Sequence, residues 1–155
     1  MLKISKLTDY GVLVLSHLAA QGGTQQSVDD LAGATGLAAT TIRKVMKALA
    51  DSGLVITRRG VKGGYRIARP PSQISLRDVV EAFDGPIALT ECSTETSACD
   101  ITDTCNLSDS WGGINQLILQ MMSRISLEEV RNPNVVDKLY RQMVQQSPMI
   151  QLVNL

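Results

Sequence analysis

The chain's three cysteines, Cys92, Cys99 and Cys105, all fall in one short polar stretch of a 155-residue sequence. The residues between them, 93–98 and 100–104, are rich in Ser, Thr, Asp and Glu and cannot build a core of their own. Exposed thiolates oxidise readily, so their gathering on one loop points to a shared metal or cluster. A disulfide would leave one of the three sulfurs over. Soft thiolates suit iron–sulfur centres, and three cysteines with one further ligand could also hold zinc. The intervening gaps of six and five residues differ from the tight pairs of zinc knuckles. With no Cys-x-x-Cys pair, no catalytic His beside a cysteine and no phosphate-binding glycine loop, an enzyme is not expected.

The totals limit what can position this loop. A hydrophobic fraction of 44% with only 3% aromatics means packing by Leu, Ile, Val, Met and Ala. No apolar run approaches the roughly 20 residues of a membrane span, and the first residues lack the apolar core of a signal peptide. A cytoplasmic protein without membrane association is expected. There, clustered thiols more often bind metal or do redox chemistry than form structural disulfides. The net charge of zero hides a division. Residues 1–75 carry ten Lys and Arg against four Asp and Glu, whereas residues 76–155 carry five against eleven. A basic half that meets a polyanion is the simplest reading.

The periodicity predicts a mainly α fold with a small β-hairpin. Thr8 is expected to cap a first helix running to about Gln21, apolar on both sides and so buried on more than one. His17, mid-helix among apolar neighbours, reads as a packed or interface residue. Ser27 with Asp30 makes a capping-box-like start for a short helix ending at Gly36. A further helix begins near Ala39, with Ile42, Val45, Met46 and Leu49 on one face. Its other face presents Thr40, Thr41, Arg43, Lys44 and Lys47, and Gly53 ends it. Leu54–Arg58 and Tyr65–Ala68 read as a hairpin around the glycine-rich turn 60–64. Ser75 with Asp78 starts a helix to about Phe83. A long helix is predicted from Ser108 to near Arg124, with Trp111, Ile114, Leu117, Ile118, Met121, Met122 and Ile125 on its apolar side. Trp111 is expected as a core anchor beside the cysteine loop, and Met121 and Met122 as packing. Ser126 with Glu129 starts a short helix, a weaker one spans 135–144, and residues 147–155 read as a frayed tail.

Two short helices with a tight turn, the second apolar behind and basic in front, followed by a basic hairpin, form a winged helix-turn-helix. The second helix would enter the major groove with Thr40, Thr41, Arg43 and Lys44 leading and Lys47 one turn on. Arg59 and Lys62 would touch the duplex from the hairpin tip. Eight basic residues and one acid lie within 43–69. Residues 1–75 thus read as the DNA-binding domain, and 76–131 as the cysteine loop plus a long dimerisation helix. Residues 132–155 are left as a C-terminal tail. A two-fold homodimer would read a palindrome-like operator in double-stranded DNA.

Over about residues 1–131 the chain resembles the Rrf2 family of bacterial regulators. The resemblance rests on Leu7-Thr8-Asp9-Tyr10-Gly11, the helix-turn-helix and the wing from Arg59 to Arg69. The three cysteines, Trp111 six residues after the last of them, and the Ile125–Val130 segment complete it. It implies that Cys92, Cys99 and Cys105 ligate an iron–sulfur cluster, 2Fe–2S or 4Fe–4S, whose state changes DNA binding. In some members a histidine three residues after the last cysteine completes the site; here that position is Ser108. In others an aspartate near the start of the first helix, lent by the other subunit, does so, and Asp9 matches it. Glu91, Asp103 and Asp109 are weaker candidates. The first gap is one residue longer than is usual in these relatives, which leaves the cluster type open. The expected function is a repressor governing iron–sulfur assembly genes of the SUF or ISC type. A nitric-oxide or redox sensor with the same cluster, or a zinc-stabilised DNA-binding module, are the alternatives.

Overall fold

The structure is a computed structural model, and it describes residues 4–60, 63–93, 99–101 and 105–146. Among the described residues it is mainly helical, with one two-stranded antiparallel sheet. The first helix, α1 (Lys6–Ala20), is capped by Ser5, whose hydroxyl oxygen accepts from the Thr8 N–H at 3.2 Å. Thr8, expected as the cap, lies a turn inside the helix and is fully buried. Its hydroxyl serves a distant carboxylate rather than the local backbone, so the helix starts three residues earlier than that assignment required.

Helix α2 (Val28–Thr35) opens on the Ser27/Asp30 capping box and ends at Gly36, whose φ of 72° is the left-handed conformation that glycine tolerates. Helix α3 (Ala39–Asp51) buries Ile42, Val45, Met46 and Leu49, the i, i+3, i+4, i+7 line that its sequence announces. Strands β1 (Val55–Arg58) and β2 (Gly64–Ile67) pair with Val55 opposite Ile67 and Arg58 opposite Gly64. Gln26 bridges to Tyr65 with backbone hydrogen bonds of 2.9 and 2.8 Å, anchoring the wing to the segment before α2. Gly64 is required by this contact, since a Cβ there would lie 2.6 Å from the Gln26 carbonyl oxygen.

A single-turn 3-10 helix at Pro71–Gln73 leads to α4 (Leu76–Asp84), opened by the Ser75/Asp78 capping box. After a second 3-10 turn at Glu91–Ser93 come α5 (Ser108–Arg124), α6 (Leu127–Val130) with its Ser126/Glu129 box, and α7 (Pro133–Gln146). Helix α7 starts two residues before the weaker helix expected there, and the expected tail at 147–155 lies outside the described residues.

One buried cluster joins these elements. Val14, Leu15 and Leu18 of α1 meet Leu31, the α3 line, Leu54, Val55, Ile74, Val79 of α4 and Leu127 of α6. Burial of such side chains is worth roughly 1.5–3 kcal/mol each, so this cluster fixes how α3 and the wing are presented. The backbone pairs Leu76 N–H to Ile125 O and Leu127 N–H to Ile74 O, both 2.7 Å, clamp the end of α5 to the start of α4. His17 is half-buried, with its Nε2 3.4 Å from Gln21 Nε2.

Candidate nucleic-acid interface and thiol loop

The core that seats α3 also dictates which side of it faces outward. With Ile42, Val45, Met46 and Leu49 fully buried, Arg43, Lys44 and Lys47 stand exposed, with Thr40 exposed and Thr41 half-buried at the leading end. Helix α3 has no side-chain cap and no acid in its first turn, unlike the Asp- or Glu-sealed starts of α2, α4 and α6. The positive end of its dipole is therefore not offset by an acid of its own first turn, which suits it to phosphate. The ion pairs among the described residues, Arg69–Asp78, Arg77–Glu81 and Arg141–Asp137, involve none of the α3 cations.

Arg59 is exposed at the end of the first wing strand, next to exposed Arg58. The turn is tight: the Gly63 N–H donates to the Gly60 carbonyl at 2.8 Å, and a Cβ on Gly63 would meet the Arg58 carbonyl oxygen. Lys62 lies outside the described residues. The described α3 cations and Arg58 and Arg59 of the wing are thus all exposed, with Asp51 at the far end of α3.

Cys92 sits in the 3-10 turn within the α4–α5 connection, and Cys105 lies just ahead of α5. All three cysteines are half-buried, and none forms a disulfide. Thr90 Oγ1 lies 3.1 Å from Cys92 Sγ and 2.9 Å from Ser93 Oγ. Among the described residues, no group of three or more His, Cys, Asp or Glu side chains is arranged to hold a metal ion. The donor set nevertheless fits an iron–sulfur cluster in kind: three soft sulfurs on one segment, not joined by disulfides, leaving one ligand position to be filled from elsewhere. Asp9 is exposed in the first turn of α1, and Glu91 and Asp109 are exposed too. Asp103 lies outside the described residues.

The apolar side expected for the long helix is only partly covered by this chain's own core. Leu119 and Met122 turn inward together with Asn115, whereas Ile114, Leu117 and Met121 face outward. Trp111, expected as a core anchor, is 40% exposed: it stands one turn ahead of Asn115, and the buried part of that side begins at Asn115.

Two residues escaped the sequence reading. Asn115 is only 3% exposed, and its amide grips the backbone of the segment before Cys92. The signal for it was a lone amide four residues before Leu119, on what becomes the buried line. Asp84, at the end of α4, receives Thr8 and carried no local signal at all.

The family described as Rrf2, iron-dependent transcriptional regulator, matches residues 4–133. The chain belongs to the Rrf2 family. Rrf2 proteins are transcriptional regulators, not enzymes; they bind DNA and are typically dimers. Protein aau3 of Rhizobium meliloti (strain 1021) is 34% identical over 108 residues, spanning 69% of this chain and 70% of that protein. The solved structure of CymR (YrzC), the global cysteine regulator of B. subtilis, is similar with a TM-score of 0.64 at 24% identity. It covers 84% of this chain and 96% of its own. T. potens IscR is similar with a TM-score of 0.56, also at 24% identity, covering 94% of this chain and 92% of that one. These likenesses establish the winged-helix Rrf2 fold. Among the described residues no helix is long and apolar enough to cross a membrane.

Proposed function

We propose that this Rrf2 regulator is a cytoplasmic dimeric repressor whose grip on a palindrome-like operator is set by an iron–sulfur cluster at Cys92, Cys99 and Cys105. Its output would match transcription of iron–sulfur assembly genes, of SUF or ISC type, to cluster supply. One observation carries this reading. In a chain of the iron-dependent Rrf2 family, every thiol lies in the segment 92–105 that leads directly into the long helix α5.

Residues 1–75 act as the reading head. Thr40, Thr41 and Arg43 approach base edges, Lys44 and Lys47 hold phosphates, and Arg59 and Lys62 reach the duplex from the wing. Each neutralised phosphate releases counterions, so operator binding weakens steeply with salt. Residues 76–131 act as the sensor and the seam between copies, with the outward apolar side of α5 meeting its twin across a two-fold axis. Residues 132–155 add α7 and the tail.

Asp9 supplies the fourth ligand from the second copy; its exposed place on α1 suits a ligand lent outward. When bound, an iron–sulfur cluster supplies a ligation state that responds to iron, sulfide, oxidants or nitric oxide. The cysteines, so ligated, hold the 92–105 segment in one arrangement against α5 and thereby favour one spacing of the two α3 helices.

Anaerobic purification with visible absorbance and iron and sulfide counts tests this reading. The wild type should be coloured and the Cys92/Cys99/Cys105→Ser variant colourless, and Asp9→Ala should lose or visibly alter the chromophore. A colourless, zinc-containing wild type would eliminate the cluster in favour of a zinc-stabilised module.

A further inference from the structure

Buried polar side chains are few in this chain: among the described residues only Thr8 and Asn115 fall in that class. Asn115 lies in the middle of α5, on the inward line with Leu119 and Met122. A primary amide in such a place must find partners or remain desolvated and unmet. It finds both on one short segment. The Leu89 N–H donates to Asn115 Oδ1 at 3.1 Å, and Asn115 Nδ2 donates to the Ile87 carbonyl oxygen at 3.4 Å.

That segment is the stem of the thiol loop. One residue beyond Leu89, the Thr90 hydroxyl contacts Cys92 Sγ at 3.1 Å and Ser93 Oγ at 2.9 Å, while the Thr90 carbonyl accepts from the Ser93 N–H at 3.0 Å. Hydrogen bonds at either end of the short backbone Ile87–Thr90 therefore link the inward face of α5 to the first cysteine sulfur. Only Thr90 and Glu91 separate Leu89 from Cys92 in the chain.

We infer that Asn115 and Thr90 are positioning residues that couple the ligation of Cys92 to the placement of α5. Thr90 donates to the Cys92 thiolate and holds its direction. Asn115 converts a shift of that stem into a shift of the long helix, whose outward side forms the seam with the second copy. This inference rests on the cluster reading proposed above and adds the path by which the loop is heard. Hydrogen bonds to a ligating sulfur raise the reduction potential of an iron–sulfur centre, so Thr90 also sets the potential at which the site responds.

The test uses full-length protein prepared anaerobically. In the cluster-loaded wild type, hydrogen exchange of the Leu89 amide should be at least ten-fold slower than after cluster removal. In Asn115→Leu, which keeps the branched outline and loses both hydrogen bonds, the ratio of operator affinities between loaded and cluster-free forms should fall to within two-fold of unity. Thr90→Val should lower the midpoint potential, and Thr90→Ser, which keeps the hydroxyl, should restore it. The exchange measurement needs no variant, so a misfolded Asn115→Leu leaves the inference exposed to disproof. Equal Leu89 exchange in loaded and cluster-free wild type, or a Thr90→Val potential equal to wild type, overturns the coupling and leaves the cluster reading standing. A wild type that holds no iron or sulfide overturns the cluster reading itself, and the coupling with it.

Discussion

Thr8 donates its hydroxyl proton to Asp84 Oδ2 across 2.8 Å, joining the first turns of α1 to the last residue of α4 over 76 positions of sequence. The same carboxylate oxygen accepts from the Ser5 N–H at 3.3 Å, and Ser5 Oγ lies 3.0 Å from Thr8 Oγ1. Helices α1 and α4 are thus tied by a polar knot at the edge of the core. Thr8→Val keeps the shape and removes the donor. It should destabilise the fold by about 1 kcal/mol, because a fully buried hydroxyl partner is lost while Asp84 can turn toward water. Urea unfolding measures this, and an unchanged midpoint would show that the knot contributes nothing.

The knot also makes stability depend on pH. Burial alone would raise the Asp84 carboxyl above its ordinary value of 3.8, but the Ser5 and Thr8 hydroxyls and the Ser5 N–H outweigh it and hold the group below that value. A carboxyl depressed in the folded state stabilises fully above its unfolded pKa and loses that contribution as pH falls through the folded value. Wild type should therefore lose more stability than Asp84→Asn when taken from pH ~6 to pH ~2, with the two converging at the acid end. Parallel curves over that range would remove Asp84 from the acid response.

A second contact between α1 and α4 depends on an absent side chain. A Cβ on Gly11 would collide with Phe83 Cε2 and Cζ, so this ring can occupy its place only against a glycine. In an unconstrained helix, Gly→Ala gains about 1 kcal/mol. Here Gly11→Ala should instead destabilise by about 1–3 kcal/mol through overpacking, and Phe83→Leu in the same chain should recover part of the loss. A higher melting temperature for Gly11→Ala would contradict the close approach.

What was legible in the sequence divides along range of interaction. Ser27/Asp30, Ser75/Asp78 and Ser126/Glu129 all form the reciprocal caps their spacing suggested, because a capping box involves only four consecutive residues. The α3 core line and the wing hairpin were equally local. Thr8 misled because Ser5 performs the same capping three residues earlier and Thr8's true partner is 76 residues away. The α5 stripe was legible as apolar, but not in how it divides between this chain's core and the outside. Its apolar residues exceed one face, and periodicity does not say which part meets the core, so Leu119 and Met122 went inward while Leu117 and Met121 stayed out. Asn115 was passed over because its partners are backbone groups 26 and 28 residues earlier. The thiols were obvious as a group, but nothing in the spacing says how a single chain alone would arrange them.

The basic surface gives a prediction that separates binding from folding. Arg43 and Arg59 are both exposed, and neither joins the ion pairs found among the described residues. Arg43→Ala and Arg59→Ala should each weaken operator binding by about 1–3 kcal/mol, with the melting temperature unchanged. In a salt titration, a residue that touches phosphate should also flatten the dependence of log affinity on log salt by about one unit. Operator affinity equal to wild type in both variants would mean that the duplex lies elsewhere.

The outward side of α5 supplies the last expectation. Leu117 is 68% exposed, flanked on the same helix by Ile114 and Met121, an apolar row that a lone chain would leave facing water. An exposed side chain tolerates a charge in the monomer, so Leu117→Glu should leave far-ultraviolet circular dichroism unchanged. In a two-fold seam the same substitution places two carboxylates near each other in apolar surroundings, costing about 3 kcal/mol or more. Light scattering should then report the 16.7 kDa single chain at concentrations where the wild type reports twice that mass. Operator affinity should fall at least ~10-fold, because two linked reading heads gain an effective concentration that separate ones lack. A Leu117→Glu protein that keeps the dimer mass would place the seam on another surface and detach α5 from the spacing of the two α3 helices.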